Sequence, residues 1–585
     1  MKTRFKAVAA TAVALMLSAG LSACGGGDGD GESFDTSPAD AALTGMANPS
    51  DVKGGTLRFG HSDDWDSPDM GNTYYAYSQN FGRLYSRSLT TFSPEPGKTK
   101  DLVPDLAENL GEVSEDGLTW TYKLRAGLKY DDGTPVTSKD VKYAVERSNF
   151  TTELTQGPHY FKQYLKDNKE PYKGPYDDKS EKGLESIETP DDTTIVFHLN
   201  QPFAEFDYLV SMQTQPVPQA KDTGLDYQNA MLSTGPYKID TYERGKVMKL
   251  SRNTNWDPAT DPIRANHALP EKIEVTLKVE AADLDNRLMS GALDVDIAGV
   301  GVQQGAQPKI LGQSANRANS DNPVAGYLRY LGVNPNVKPF DNVHCRRAVQ
   351  YALDKVSTQT AHGGPEAGGA VATTVIPPSV SGYKEANAYP SGADNHGDLE
   401  KAKAELTECG QPNGFKTTLS VRSDRDKEVA AGTAVQQGLA RIGVTVDIQS
   451  VPAGDYFGKY AGAPKWIRDN NVGLLSMAWA ADWPSGYGFL SQIVDSRTIR
   501  DSGNTNIQET KLPAVDKLLD DAAKNTDIKQ REAIYTQIDE LVMEDATILP
   551  LVYAKILLYR PTNVTNLTIT EGYGGMYDYL NIGVR

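Results

Sequence analysis

The segment Leu475-Ser476-Met477-Ala478-Trp479-Ala480-Ala481-Asp482-Trp483-Pro484 holds the residues best suited to chemistry with a ligand. An apolar run leads into an aromatic residue, then into a carboxylate flanked by two tryptophans. A carboxylate in a closed cleft is costly without a partner, so a charge pair formed there is strongly directional. Trp479 and Trp483 also suit stacking on sugar rings. The plain alternative is that Asp482 caps a turn before Pro484 while Trp479 and Trp483 belong to the core. Tyrosine is unusually frequent, 29 residues against 14 Phe. Its flat apolar face and hydroxyl suit a cavity for amphipathic ligands as well as ordinary surfaces.

Other chemistry finds little support. Gly97-Lys98-Thr99 ends like a phosphate-binding loop, but Phe92 stands where the leading glycine is required, so a turn is expected. The seven histidines include no pair at i,i+4 spacing, and Cys345 and Cys409 fit no metal motif, so neither a metal nor a cofactor is expected. No Gly-x-Ser-x-Gly elbow occurs, and no enzyme is expected. His61, Asp63, Asp64, Asp66 and Asp69 form a dense acidic cluster, read as a solvated loop after the first strand, with cation binding as the alternative. The formal charge is −18; without Lys2, Arg4 and Lys6, 56 Lys and Arg face 77 Asp and Glu, or −21. Such a surface repels phosphate backbones and argues against nucleic acid.

The elements that must hold Asp482 in place are legible along the chain. Lys53 to Gly60 starts the fold as a strand. Ser114 to Gly117 is a turn, Leu118 to Leu124 alternates like a half-buried strand, and Asp131 to Pro135 is a second turn. Thr137 or Ser138 then caps a helix from Asp140 to Arg147. Phe415 to Val421, a helix from Lys427 to Arg441, and Val444 to Val451 form a βαβ unit. Val472 to Trp479 is a further strand, Leu512 to Val542 two helices, and Ile548 to Tyr553 an apolar strand.

The spelling from Leu106 to Arg147, with "LRAGLKYDDGTPVTSKDV" at its centre, closely resembles the signature of family 5 extracellular solute-binding proteins, receptors of oligopeptide and dipeptide ABC importers. "GGTL" at Gly54, "STGPY" at Ser233, "GALDV" at Gly291 and the helix from Phe340 to Lys355 are similar to further family elements. The resemblance implies an α/β, two-lobed periplasmic-binding-protein-like fold (type II, large peptide-binding cluster), with mixed sheets flanked by helices. It places lobe I at 53–325 plus 555–585, with an inserted subdomain at about 80–210, and lobe II at 326–554, with a hinge between them. Peptide-binding members carry a similar "W-x-x-D-Y" after a strand whose edge binds the peptide backbone. The resemblance thus implies that Asp482 pairs with a peptide's α-ammonium and that Ser476, Met477, Trp479 and Trp483 adjoin the ligand. It turns Tyr74 and Tyr75 toward the cleft, and Tyr160 and Phe161 are further lining candidates. An oligosaccharide, opine or metal chelate on the same scaffold, or a peptide-pheromone receptor, are the alternatives.

The start of the chain supplies an address. A basic n-region, the apolar segment Ala7 to Gly20 and Leu21-Ser22-Ala23-Cys24 read as a signal peptide over 1–23 and resemble a bacterial lipobox. Lipid on Cys24 and a flexible tether over 24–52 would hold a monomer at the outer face of the cytoplasmic membrane, beside its ABC permease. Cys345 and Cys409 remain in an oxidising compartment as disulfide candidates. Cys345 stands where the family more usually has Val.

Overall fold

The structure is a computed structural model and describes residues 37–178 and 182–585. The expected signal peptide, Cys24 and the first part of the tether lie outside the described residues. The later part, 37–52, is not a tether. Ala42 and Ala47 are buried, the backbone of Ala47 bridges to Leu567, and the Asn48 side chain donates to the Val564 carbonyl (2.9 Å). Its polar composition conceals two small apolar residues that fit flat against the body.

Two large sheets carry the architecture. In the first, Thr56–Gly60 lies between Val295–Asp296 and Lys272–Thr276, parallel to both, and Val247–Arg252 and Tyr237–Glu243 extend it antiparallel. Period-two alternation sends Leu57 and Phe59 into the core with Ile273 and Val275 opposite them. The second is a six-stranded mixed sheet in the order Gly369–Val371, Ile548–Lys555, Val324–Val333, Val472–Ala480, Lys416–Arg422 and Thr445–Val451. Its parallel pair Lys416–Arg422 and Thr445–Val451 is joined through the helix Asp426–Ala440, which packs Val435 and Leu439 on Leu419 and Val421. This is the βαβ unit expected there, one residue displaced at its edges.

A smaller antiparallel sheet contains Thr119–Lys123 and Thr194–His198, with Trp120 and Tyr122 turned inward. Gly117 takes φ +71° at the turn before it, where a side chain would be strained. The helix Ser138–Asn149 is capped by Thr137, whose backbone N–H donates to Asp140 (2.8 Å). Arg147 near its end is fully buried between Asp69 (2.9 Å) and Asp222 (3.2 Å). The stretch Leu106 to Arg147 is thus framework, and its last residue clamps the loop after the first strand.

Cys345, in the helix Val343–Ala352, and Cys409, at the end of the helix Leu399–Glu408, form a disulfide with Cα atoms 5.2 Å apart. It closes a sequence separation of 64 residues. A bridge of that span constrains the unfolded chain by about 4 kcal/mol. The double substitution Cys345→Ala/Cys409→Ala is therefore expected to lower stability by about 2–4 kcal/mol, read as a fall in the guanidinium unfolding midpoint. Midpoints that coincide for the variant and the oxidised protein would contradict a structural bridge.

Candidate functional site

A cavity of about 110 Å³ lies between the two large sheets. Tyr74, Tyr75 and Asp66 reach it from the loop after the first strand; Tyr327 and Ala478 to Asp482 form the facing wall, where Tyr327 pairs with Ala480. Arg422, Phe457 and the turn Tyr573–Gly574 complete it.

The wall strand offers an unpaired edge. Val472–Ala480 is hydrogen-bonded along one side to Val324–Val333 through Ala480. On its other side the pairing with Lys416–Arg422 stops at Leu475. The Tyr456 hydroxyl fills the fork, donating to the carbonyl of Ser476 (2.7 Å) with the Ser420 carbonyl also in reach (3.2 Å). From Ala478 onward that edge faces the cavity, which is what strand addition by an extended ligand requires.

Asp482 stands at the end of this edge. Its Oδ2 accepts hydrogen bonds from the hydroxyls of Tyr74 (2.6 Å) and Tyr160, Oδ1 accepts none among the described residues, and the residue lines the cavity. Among the described residues no cation pairs with it. Burial pushes its carboxyl up to about 7, and the two hydroxyls offset only part of that. Asp482 does not cap a turn. It is a carboxylate held in place by neutral donors with its charge unmatched.

The acidic loop before it has a different role from the one expected. Asp66 is half-buried and accepts from the Thr73 hydroxyl (2.7 Å) and the Tyr74 backbone N–H (3.0 Å). Asp64 accepts from the Tyr242 hydroxyl (2.9 Å), Asp69 binds Arg147, and Asp63 meets Lys278. This is not a solvated loop: Asp63, Asp64 and Asp69 are matched to donors from distant segments and Asp66 to donors within the loop, and together they fix the backbone that presents Tyr74 and Tyr75. Tyr75 stacks on Tyr77 (5.2 Å) and donates across the cavity to the Ala453 carbonyl (3.1 Å).

Of the residues singled out in the sequence, Asp482, Trp479, Tyr74 and Tyr75 meet at the cavity. Trp479 is anchored by its indole N–H on the Phe489 carbonyl (2.7 Å), with Tyr74 edge-on at 5.8 Å. Tyr160 reaches Asp482 from behind rather than lining the wall. Trp483 is core: fully buried, it donates to Glu205 (2.5 Å) and lies parallel to Tyr208 and Tyr487. Asp482 and Trp483 are successive residues in the bend after the strand; Asp482 lines the cavity while Trp483 is held in the core by Glu205. Ser476 and Met477 are buried behind the wall, and Phe161 packs on Phe197 and Phe206. Arg422 was missed although it ends a parallel strand, a position that commonly faces a ligand crevice. Tyr327, Phe457 and Tyr573 carry no comparable signal.

Residues 101–501 match the profile of the bacterial extracellular solute-binding proteins, family 5 Middle. The glutathione-binding protein GsiB of Escherichia coli (strain K12) is 26% identical over 477 residues, covering 80% of this chain and 83% of its own. The solved clavulanic acid biosynthesis oligopeptide binding protein 2 superposes with a TM-score of 0.85 at 41% identity, over 94% of this chain and 99% of that one. DppA from Helicobacter pylori, in complex with the peptide STSA, superposes at 0.74 with 22% identity, over 91% and 99%, a likeness of fold. The architecture is the two-lobed α/β fold of type II periplasmic binding proteins. With the matched profile covering most of its length, the chain belongs to the family 5 bacterial extracellular solute-binding proteins.

Proposed function

We propose that this protein captures peptides by their free amino terminus in the cavity at Asp482 and delivers them to an ABC importer. The observation that carries this reading is the half-buried carboxylate, with no cation on it among the described residues, at the end of an unpaired strand edge. An α-ammonium supplies the missing charge, and the peptide backbone continues along Ala478 to Ala480. The relatives, an oligopeptide-binding protein, a protein solved with a bound peptide and a glutathione-binding protein, agree with it. The lobes would be 53–325 with 555–585, and 326–554, closing about the paired crossings at Ser320–Val324 and Lys555–Tyr559. Among the described residues no helix is long and apolar enough to cross a membrane. Attachment would come from lipid on Cys24, with the protein working as a monomer beside its permease.

Asp482→Ala should weaken a free-amine tripeptide by at least about 30-fold, since breaking a buried hydrogen-bonded charge pair costs about 2–5 kcal/mol. Near-unchanged affinity in titration calorimetry would contradict the assignment.

The pH dependence follows from the raised carboxyl. In the empty protein Asp482 holds its proton up to about pH 7, and an ammonium needs it ionised. Binding should therefore release a proton below that pH, and affinity should fall about tenfold per unit as pH drops further. For the empty protein, a carboxyl raised in the folded state contributes stability at low pH that is lost as pH rises from about 4 to 7. Asp482→Asn should flatten both profiles; a binding profile unchanged in that variant would count against the mechanism.

A further inference from the structure

A second set of contacts lies behind the bend that carries Asp482, between the segments assigned above to the inserted subdomain and to lobe II. The helix Tyr160–Tyr164 and the segment Phe203-Ala204-Glu205 come from the first. Trp483, Ser485 and Tyr487 come from the second, with Ala523 of the helix Pro513–Lys524 and Arg531 of the helix Ile528–Asp545. Phe203 stacks on Tyr164, ring centres 4.2 Å apart, and meets Tyr487 at 5.3 Å. The hydroxyls of Tyr164 and Tyr487 hydrogen-bond to each other, and the Ala204 N–H donates to the Ala523 carbonyl (3.1 Å). Tyr164, Phe203, Trp483 and Tyr487 are buried, and all four stand outside the lining of the cavity at Asp482.

Glu205 is the polar centre of this seam. It is 7% exposed, and its Oε2 accepts from the Trp483 indole N–H (2.5 Å) and the Ser485 hydroxyl (2.7 Å). The Arg531 guanidinium stands 3.7 Å from its Oε1. Neither the Trp483 indole nor the Ser485 hydroxyl has another acceptor among the described residues. Ser485 in turn accepts from the Gly488 N–H (3.0 Å) and so caps the helix Gly486–Val494. The bend is thus held twice from the same side: Tyr160 holds Asp482, and Glu205 holds the next residue, Trp483. Drawing the two segments apart would strand both donors and wet four aromatic rings, a cost that arises only on opening.

Resting on the two-lobe reading above, we infer that Glu205 is an affinity-setting latch: through Trp483 and Ser485 it stabilises the closed arrangement of the lobes without touching the solute. Contacts made in only one of two states shift the population toward that state, and the apparent affinity of a solute follows the fraction of protein that is closed. A group of this kind changes the affinity of every solute by one common factor and leaves the order of preference among solutes alone. It also leaves the stability of the empty, open protein nearly unchanged, which separates a latch from a residue of a permanent core.

The test compares wild type, Glu205→Ala and Glu205→Gln, each stripped of solute. Glu205→Ala should bind trialanine and trileucine more weakly by the same factor, about tenfold, as expected for two lost charge-assisted hydrogen bonds in a buried seam. Glu205→Gln keeps an acceptor for Trp483 and Ser485 and should stay within about threefold of wild type. The guanidinium unfolding midpoint of empty Glu205→Ala should match that of empty wild type. An unchanged affinity, a loss that differs between the two peptides, or a lowered midpoint in the empty variant would overturn the latch. A readout free of solute is the distance between spin labels on Lys166→Cys and Lys517→Cys, exposed positions on either side of the seam. The empty protein should show a short-distance population that Glu205→Ala reduces; the same population in both overturns the latch. If N-acetyl-trialanine binds as well as trialanine, the amino-terminal reading falls, while a common loss for both in Glu205→Ala upholds the latch. If no peptide binds wild type, the spin-label distances alone decide.

Discussion

A carboxylate placed in a cavity with no cation among the described residues to meet it is the constraint around which this site is built. Two tyrosine hydroxyls hold Asp482 in position but cannot neutralise it, so the empty site favours the protonated acid. A group that brings a positive charge and hydrogen-bond donors gains what the protein withholds. Selectivity for a cationic end then follows from desolvation, without a closely fitted pocket.

That arrangement depends on groups far away in sequence. Tyr74 reaches Asp482 because Asp66 pins the backbone beside it, and the neighbouring turn is held by Asp69, which is held by Arg147. Arg147 is placed by the helix whose start Thr137 and Asp140 define. On the other side, Trp479 is tied to the Phe489 carbonyl and Trp483 to Glu205, which together fix the bend that carries Asp482. The signature stretch Leu106 to Arg147 touches none of the cavity, yet it orients the loop that touches the carboxylate.

Much of this was legible in the sequence, and the failures have physical reasons. Local pattern gave the parallel βαβ unit and the strand before Asp482, the latter as a short apolar run that is buried along nearly its whole length. The aromatic–carboxylate pair Trp479 and Asp482 was visible as residue types. The opposite orientation of Trp483 was not, since it depends on how the chain bends after Ala480. The acidic cluster looked solvated because its partners, Lys278, Tyr242 and Arg147, come from distant segments. Residues 37–52 looked disordered because their burial rests on two alanines and one asparagine side chain. Tyr573 enters the cavity from the C-terminal segment, where no local pattern marks it.

The central claim is that the charge missing at Asp482 is a peptide's amino terminus. Mass spectrometry of the solute released from the purified protein by mild denaturation tests it most directly. The account predicts peptides with a free α-amine. A sugar, a metal chelate or any other solute without an amine would contradict it.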